Sequence, residues 1–457
     1  MYDAISQPRT TPLSAEVRAY YLRVVTFFVF FAVLLLTVVE MRRGIVLPAA
    51  AYRQLGAPSA FLYVHPVHLV FLGLGLVGAW LAYRALARRE GELRQRGVEL
   101  TRARNLLALA LMVLLVVDLF TYRGVQATRI ASAGRLGVSL TFPVADLPLW
   151  LRPLGEAVNF LLVVWHATTL GILIGALFLV LLSAGGFLKT ALATTGLRGH
   201  LTGALVALAY PFCSCCAGPA GASLYRGGAS LGPTLAFAVA APMLNITTLS
   251  LAIVLLPSEF ALLRIVGGVV VAVLGTWLVS QAVSARLLQV PAPLPTGQPS
   301  SRLLDGLFRL FTLERALQDR PIDTPAALLA AWLDTAWRLA RVAVPLLFLA
   351  AVVVSVAAPV IFAFGGRNDL ATIIVAAAIG TLFMIPTWTE LAIAAPLIQQ
   401  GLTGPAAALL LTLPAVSLPS LTIIGAALGS YRIPAVLGVV VFLLGVLAGV
   451  LFLGAPH

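Results

Sequence analysis

Polar residues in this chain fall mostly in clusters between long apolar runs, and the runs set the architecture. They extend from Leu22 to Val39, Val67 to Tyr83, Leu106 to Phe120, Asn159 to Leu182, Leu231 to Leu256, Ala261 to Val283, Ala326 to Ala357 and Ile433 to Leu453. Apolar stretches of about this length cross a bilayer as helices. Together with a run broken at Pro414 to Pro419, they predict an all-α polytopic integral membrane protein of roughly nine crossings.

Two further segments, Arg198 to Arg226 and Leu370 to Gln400, are apolar but interrupted by proline. Proline removes an amide hydrogen and clashes with the carbonyl one turn back, so Pro211, Pro219 and Pro386 are expected to break helices there. Pro242 and Pro414 are expected to do the same in the following runs. Irregular backbone at membrane depth survives only when buried in protein or lining a cavity. Pro211, Gly227, Pro233, Pro242 and Asn245 recur in order, at nearly the same spacing, as Pro386, Gly401, Pro405, Pro414 and Ser417. Paired, proline-interrupted segments point to an internal duplication with the site at the repeat interface.

The organisation expected is an accessory three-helix unit over 1–157, a first repeat over 158–283, a linker over 284–325 and a second repeat over 326–457. The linker is rich in Pro, Gly and Ser from Val290 to Ser301, and Arg302 to Asp319 reads as an amphipathic helix on the bilayer surface or docked on the protein. If both proline-broken segments dip in and return, each half has three true crossings and the halves are inverted. The arginine-bearing linker then lies on the cytoplasmic side.

Composition agrees with a membrane protein: 60% of the 457 residues are hydrophobic and 10% charged. The net charge of +13 is almost all arginine, Lys189 being the only lysine. These arginines cluster between the runs, as the positive-inside rule expects, and give no nucleic-acid signature. Arg84, Arg88, Arg89, Arg94, Arg96, Arg102 and Arg104 predict a cytoplasmic loop between the second and third helices, hence a cytoplasmic N-terminus. The stretch from Tyr122 to Arg152 is then external, and the first helix is expected to be retained rather than cleaved. No phosphate-binding glycine loop precedes Lys189, so the chain is not expected to bind nucleotide through such a loop. No cofactor is expected.

The chemistry concentrates at Cys213, Cys215 and Cys216, which are the only cysteines. Reduced thiols are the expectation. If Pro211 opens a half-helix, the cysteines lie in its first turn, where free amides and the dipole favour thiolate. Soft thiolates select trivalent arsenic, Cu(I) or Zn(II), so all three are candidate ligands for a metal or metalloid cargo. The alternative is that they are small buried hydrophobes. Glu390, four residues after Pro386, is the candidate proton-coupling group or else a cap for the half-helix that follows. Asn245 and Ser417 are candidates to bind substrate or to satisfy freed backbone groups. Met243, Met384, Thr387 and Trp388 are candidate cavity liners, and His166 and Asp118 weaker candidates for a proton path.

Pro211-Phe212-Cys213-Ser214-Cys215, followed by Pro219, Gly227, Pro233 and Pro242-Met243-Leu244-Asn245 and echoed in the second half, resembles the predicted bacterial permeases that include the organoarsenical efflux permeases. The resemblance covers roughly Asn159 to Leu453. It implies an inner-membrane permease, in some members an exporter of trivalent organoarsenicals with the motif cysteines as ligands. This chain adds Cys216, where a small residue commonly follows, and three N-terminal helices. The function expected is a secondary, proton-coupled permease for a thiophilic solute. The alternatives are a permease for a transition metal or small organic solute, a membrane thiol-disulfide oxidoreductase, and a scaffold subunit.

Overall fold

The computed structural model describes residues 13–44, 46–47, 63–133, 143–183, 187–208, 210, 212–226, 228–284, 322–362, 367–385 and 389–454. Among them every long element is helical and no strand occurs. Seven helices or broken helix pairs are long and apolar enough to cross a membrane, and a bent helix over Arg152–Ser183 makes an eighth. Helix Pro325–Phe362 stands where the remaining expected crossing falls. The protein is a multi-pass membrane protein. The proposed linker helix over 302–319, Pro211, Pro386, Thr387 and Trp388 lie outside the described residues.

The chain forms two compact units. The first comprises residues 1–49, 62–114 and 321–330, a division that falls before residue 157 and takes in the start of the last third of the chain. Its helices α1 (Leu13–Arg43) and α2 (Pro66–Gln95) pack through glycine. A Cβ at Gly75 would lie 2.9 Å from Leu34 Cβ, and one at Gly78 would overlap the Phe30 ring. The arginines expected in a loop are mostly helical, because α2 outlasts its apolar run. Leu, Ala, Arg, Glu and Gln are strong helix formers, so the polar continuation stays wound until Gly97, whose φ of 75° ends it. Helix α3 (Thr101–Ala133) then carries Arg102 and Arg104 and reaches into the stretch from Tyr122 to Arg152.

Acidic residues organise this arginine-rich end. Glu16 lies 2.6 Å from Arg96 and 3.5 Å from Arg89. Glu90 Oε1 accepts from the Tyr20 hydroxyl at 2.7 Å and from the Ala326 amide at 2.9 Å. Arg94 pairs with Asp323, and Arg104 donates to the Ile322 carbonyl.

The second unit comprises residues 50–61, 115–320 and 331–457. After α4 (Arg152–Ser183) and the short α5 (Phe187–Leu192) come α6 (Gly196–Ala207) and α7 (Ser214–Arg226). At 12 and 13 residues, and about 1.5 Å rise per residue, neither crosses a hydrocarbon core about 30 Å thick. Their outer ends are tied together: the Ser230 amide donates to the Leu192 carbonyl at 2.9 Å, and the Ser230 hydroxyl to that of Thr194 at 2.6 Å. The chain therefore enters and returns at one place, a helical hairpin with Leu208, Tyr210, Phe212 and Cys213 the described residues toward its tip.

Helices α8 (Leu231–Met243) and α9 (Ile246–Leu255) form one interrupted span, followed by α10 (Ser258–Val269), a π-turn over Val270–Gly275 and α11 (Thr276–Ser284). Next come α12 (Pro325–Phe362), the short α13 (Leu370–Leu382) and α14 (Thr389–Gln399), and a span interrupted between α15 (Thr403–Ala415) and α16 (Leu418–Leu428). Helix α17 (Arg432–Leu451) closes it. Here Asn368, before α13, donates to Thr403 Oγ1 at 3.1 Å and accepts from the Gly404 amide at 3.0 Å. The second proline-broken segment is thus also a hairpin, with Phe383, Met384 and Ile385 the described residues toward its tip.

Pro219 does not break its helix as expected; it sits inside α7. Membrane helices tolerate such a proline when neighbours satisfy the freed carbonyl. Pro242 and Pro414 also lie inside helices, near the C-terminal ends of α8 and α15, and the interruptions follow them by two or three residues. Close helix packing depends on glycine at Gly203, where a Cβ would collide with the backbone of Pro233 in α8. Gly203→Ala is therefore expected to cost about 1–3 kcal/mol through overpacking, seen as a lower unfolding midpoint of the purified protein.

Candidate functional site

Each interruption is built by the residue that starts the next helix. Asn245, fully buried and extended at φ −65° and ψ 138°, caps α9. Its Oδ1 accepts from the Thr248 amide at 2.9 Å and from the Thr247 and Thr248 hydroxyls at 2.8 Å. Its Nδ2 donates to the carbonyls of Ala241 and Pro242 at 3.3 and 3.2 Å. The side chain thus serves donors and acceptors on both sides of the break. Asn245→Ala is expected to lose about 1–2 kcal/mol of stability, read as a lower unfolding midpoint, whereas Met243→Leu, at a buried position two residues earlier, leaves the cap intact. Ser417 plays the same part in the second half. Its amide donates to Ser420 Oγ at 2.9 Å, while the Ser420 hydroxyl donates to the Ser417 carbonyl at 2.9 Å.

Each hairpin packs against the interrupted span of the other half. A Cβ at Gly218, in the first turns of α7, would come within 2.9 Å of Ser420 Cα at the start of α16. In the second hairpin, Leu391 and Ala394 of α14 pack in one cluster with Leu251 and Ala252 of α9 and Phe260 of α10. Glu390 precedes that cluster by one residue. Its Oε1 lies 3.4 Å from Arg264 Nη2 on α10, which also lies 3.4 Å from the Pro242 carbonyl in the first interruption. Arg264 is fully buried and Glu390 is 1% exposed.

The first tip is held by aromatic rings. Tyr210 and Phe212 stack at 5.7 Å, and Tyr210 packs on Phe178 of α4 at 5.2 Å and on Phe237 of α8 at 5.8 Å. Cys213 follows, 2% exposed, one residue before α7 begins. It is disulfide-bonded, which corrects the expectation of reduced thiols. Thiols crowded into four consecutive positions are within reach of oxidation without long-range rearrangement. Cys215 and Cys216 belong to the first turn of α7, with side chains outside the described set. Among the described residues, no group of three or more His, Cys, Asp or Glu side chains is placed to hold a metal ion. Met384 is buried beside the second tip.

His166 and Asp118 meet although 48 positions separate them in sequence. His166 Nε2 lies 3.2 Å from Asp118 Oδ2, both buried, with the Tyr122 ring 4.8 Å from the imidazole. His200 ties α6 to α11 through Thr276 at 2.8 Å. A groove of about 390 Å³ between α10 and α17 is almost wholly apolar, lined by Leu262, Val266, Leu447 and Leu451 with Glu259. No motif residue lines it. Arg264, the buried partner of Glu390, is not among the residues singled out from sequence; its signal is a lone arginine inside the run from Ala261 to Val283.

Comparison with known proteins decides the family. Residues 157–453 match the ArsP_1 model, described as a predicted permease. The chain belongs to this permease family. Among curated relatives, the chain is 34% identical over 281 residues to the UPF0718 protein YraQ of Escherichia coli K12, an alignment covering 61% of this chain and 74% of YraQ. It is 27% identical over 305 residues to the UPF0718 protein MJ0584 of Methanocaldococcus jannaschii, covering 55% of this chain and 80% of that protein. No solved structure matches. The two hairpins and both interruptions fall inside the matched region.

Proposed function

We propose that the protein is a secondary permease whose site lies at the two hairpin tips, and that its cargo is a thiophilic solute, a trivalent organoarsenical first of all. The observation that carries this is reciprocal packing: the hairpin bearing Cys213 sits on the interruption at Ser417 to Ser420, and the hairpin bearing Glu390 sits on that at Pro242 to Asn245. Such a pairing of broken helices is how transporters place polar groups at mid-bilayer. Each half then has three crossings and one hairpin, the halves are inverted repeats, and the N-terminus and linker face the cytoplasm of an inner membrane.

In this mechanism the reduced motif cysteines bind the soft centre of the cargo. Glu390 exchanges a proton as the site opens to either side, alternating between its ion pair with Arg264 and a neutral carboxyl. Asn245 and Ser417 act as positioning residues, because the hydrogen bonds described hold the interruptions open. Thr387 and Trp388 are further candidates to contact the cargo. The test is flux of trivalent methylarsenical in vesicles containing the full chain, with and without a proton gradient. Gradient-driven flux that requires Cys213 supports the mechanism; gradient-independent, cysteine-independent flux rejects it.

The disulfide at Cys213 favours a second reading, a membrane thiol-disulfide oxidoreductase. Turnover of a thiol or quinone partner separates the two. A redox enzyme turns over a thiol or quinone partner without arsenical, whereas a permease does not.

A further inference from the structure

We propose that Arg264 binds a negatively charged oxygen group, a carboxylate or other oxyanion, carried by the transported solute. This rests on the permease reading, and it names a second recognition element that soft sulfur chemistry does not supply.

The Arg264 guanidinium is completely buried, yet its hydrogen bonding is incomplete. Nη2 is shared between Glu390 Oε1 and the Pro242 carbonyl, both at 3.4 Å, while Nε and Nη1 have no hydrogen-bond partner among the described residues. Buried polar groups are nearly always paired, and an unpaired charged donor is among the most costly things to bury. A guanidinium kept only to neutralise Glu390 would face it through two short parallel bonds. Here the contact between the two is a single long one at 3.4 Å, and Nε and Nη1 of the guanidinium find no acceptor among the described residues.

The surroundings suit an anion. Glu390 lies in the first turn of α14, an 11-residue helix, and the Pro242 carbonyl lies just before α9, a 10-residue helix. Both helices bring N-terminal amides toward this junction, and helix N-termini favour negative charge. Asn245 takes up the Thr248 amide of α9; the amides before it have no partner inside the helix. Gly268 lies alongside: a Cβ there would sit 3.6 Å from Nη1 and 2.8 Å from Leu244 Cδ2, so glycine keeps that flank clear. The incoming oxygen group and Glu390 compete for one guanidinium, and Glu390 must give up Arg264 for an anion to bind fully.

The experiment is ligand-induced stabilisation of the purified full chain in nanodiscs, with benzoate as the anionic probe, benzyl alcohol as its uncharged counterpart and inorganic phosphate as a free oxyanion. Benzoate or phosphate is expected to raise the unfolding midpoint saturably, and benzyl alcohol not. Protection by phosphate alone would assign the site to a small inorganic oxyanion rather than an organic acid. Arg264→Gln is expected to abolish the effect. Glu390→Gln, which removes the internal competitor, is expected to tighten binding about tenfold or more. A purely structural ion pair predicts no such gain. Equal effects of benzoate and benzyl alcohol with none from phosphate, or a Glu390→Gln variant that binds anions no better, would overturn the proposal, and the wild-type comparison stands even if the Arg264 variant does not fold. Because the readout is binding, absence of arsenical flux would defeat the cargo assignment without touching this result.

Discussion

Glu390→Ala is expected to destabilise the protein by about 3–5 kcal/mol, and the double variant Arg264→Met/Glu390→Leu to be markedly less damaged than either single change. At 3.4 Å and an effective dielectric constant near 20, opposite unit charges attract by about 5 kcal/mol. Withdrawing the two ions from water costs several kcal/mol each, so the pair contributes little net stability. Removing one partner leaves the other charge buried and uncompensated, whereas replacing both with apolar side chains of similar volume removes the desolvation cost as well. The measurement is the denaturation midpoint of the four proteins in mixed micelles, closed as a double-mutant cycle. A single variant as stable as wild type would mean that the charge is not buried as described. The double variant is also expected to fold and yet to carry no solute, which separates the structural part of the pair from its functional part.

Much of this architecture could be read from spacing alone. Apolar run length placed the crossings, and short proline-broken segments flanked by charge pointed to hairpins that Ser230 and Asn368 indeed close. Less legible was where polar sequence stays helical. Arg84 to Arg94 read as a loop because charge was taken to end the helix, but helix propensity carries α2 to Gln95 and only Gly97 stops it. Pro219 misled for the opposite reason: local sterics forbid it in an isolated helix, while tertiary packing permits it.

At the site, Glu390 stood out because a carboxylate in an apolar run has to be explained, and Asn245 and Ser417 because each follows a proline. Arg264 obeys the same rule but was passed over within a run otherwise apolar. Its partner lies 126 positions away, in the other half of the core, and no local pattern announces such a pairing. His166 and Asp118 show the same limit: each was visible alone, but only folding brings them to 3.2 Å.

Reduction of the disulfide at Cys213 is expected to switch on binding of a trivalent phenylarsenical. A disulfide sulfur has no thiolate lone pair to offer a soft centre, so only the reduced fraction of the protein is competent. Apparent affinity falls in proportion to that fraction; a population about 99% oxidised binds about 100-fold more weakly than a fully reduced one. Because the couple takes two electrons, apparent Kd should worsen about tenfold for each 30 mV of ambient potential above the midpoint. The full chain is poised in glutathione buffers, desalted and titrated with the arsenical; a phosphine reductant, which carries no competing thiol, sets the fully reduced limit. Cys213→Ser is expected to bind weakly at every potential, losing the dependence rather than shifting it. Affinity that is strong and indifferent to potential in the wild type would remove sulfur from the binding site and leave Arg264 and Glu390 as the groups that recognise the cargo.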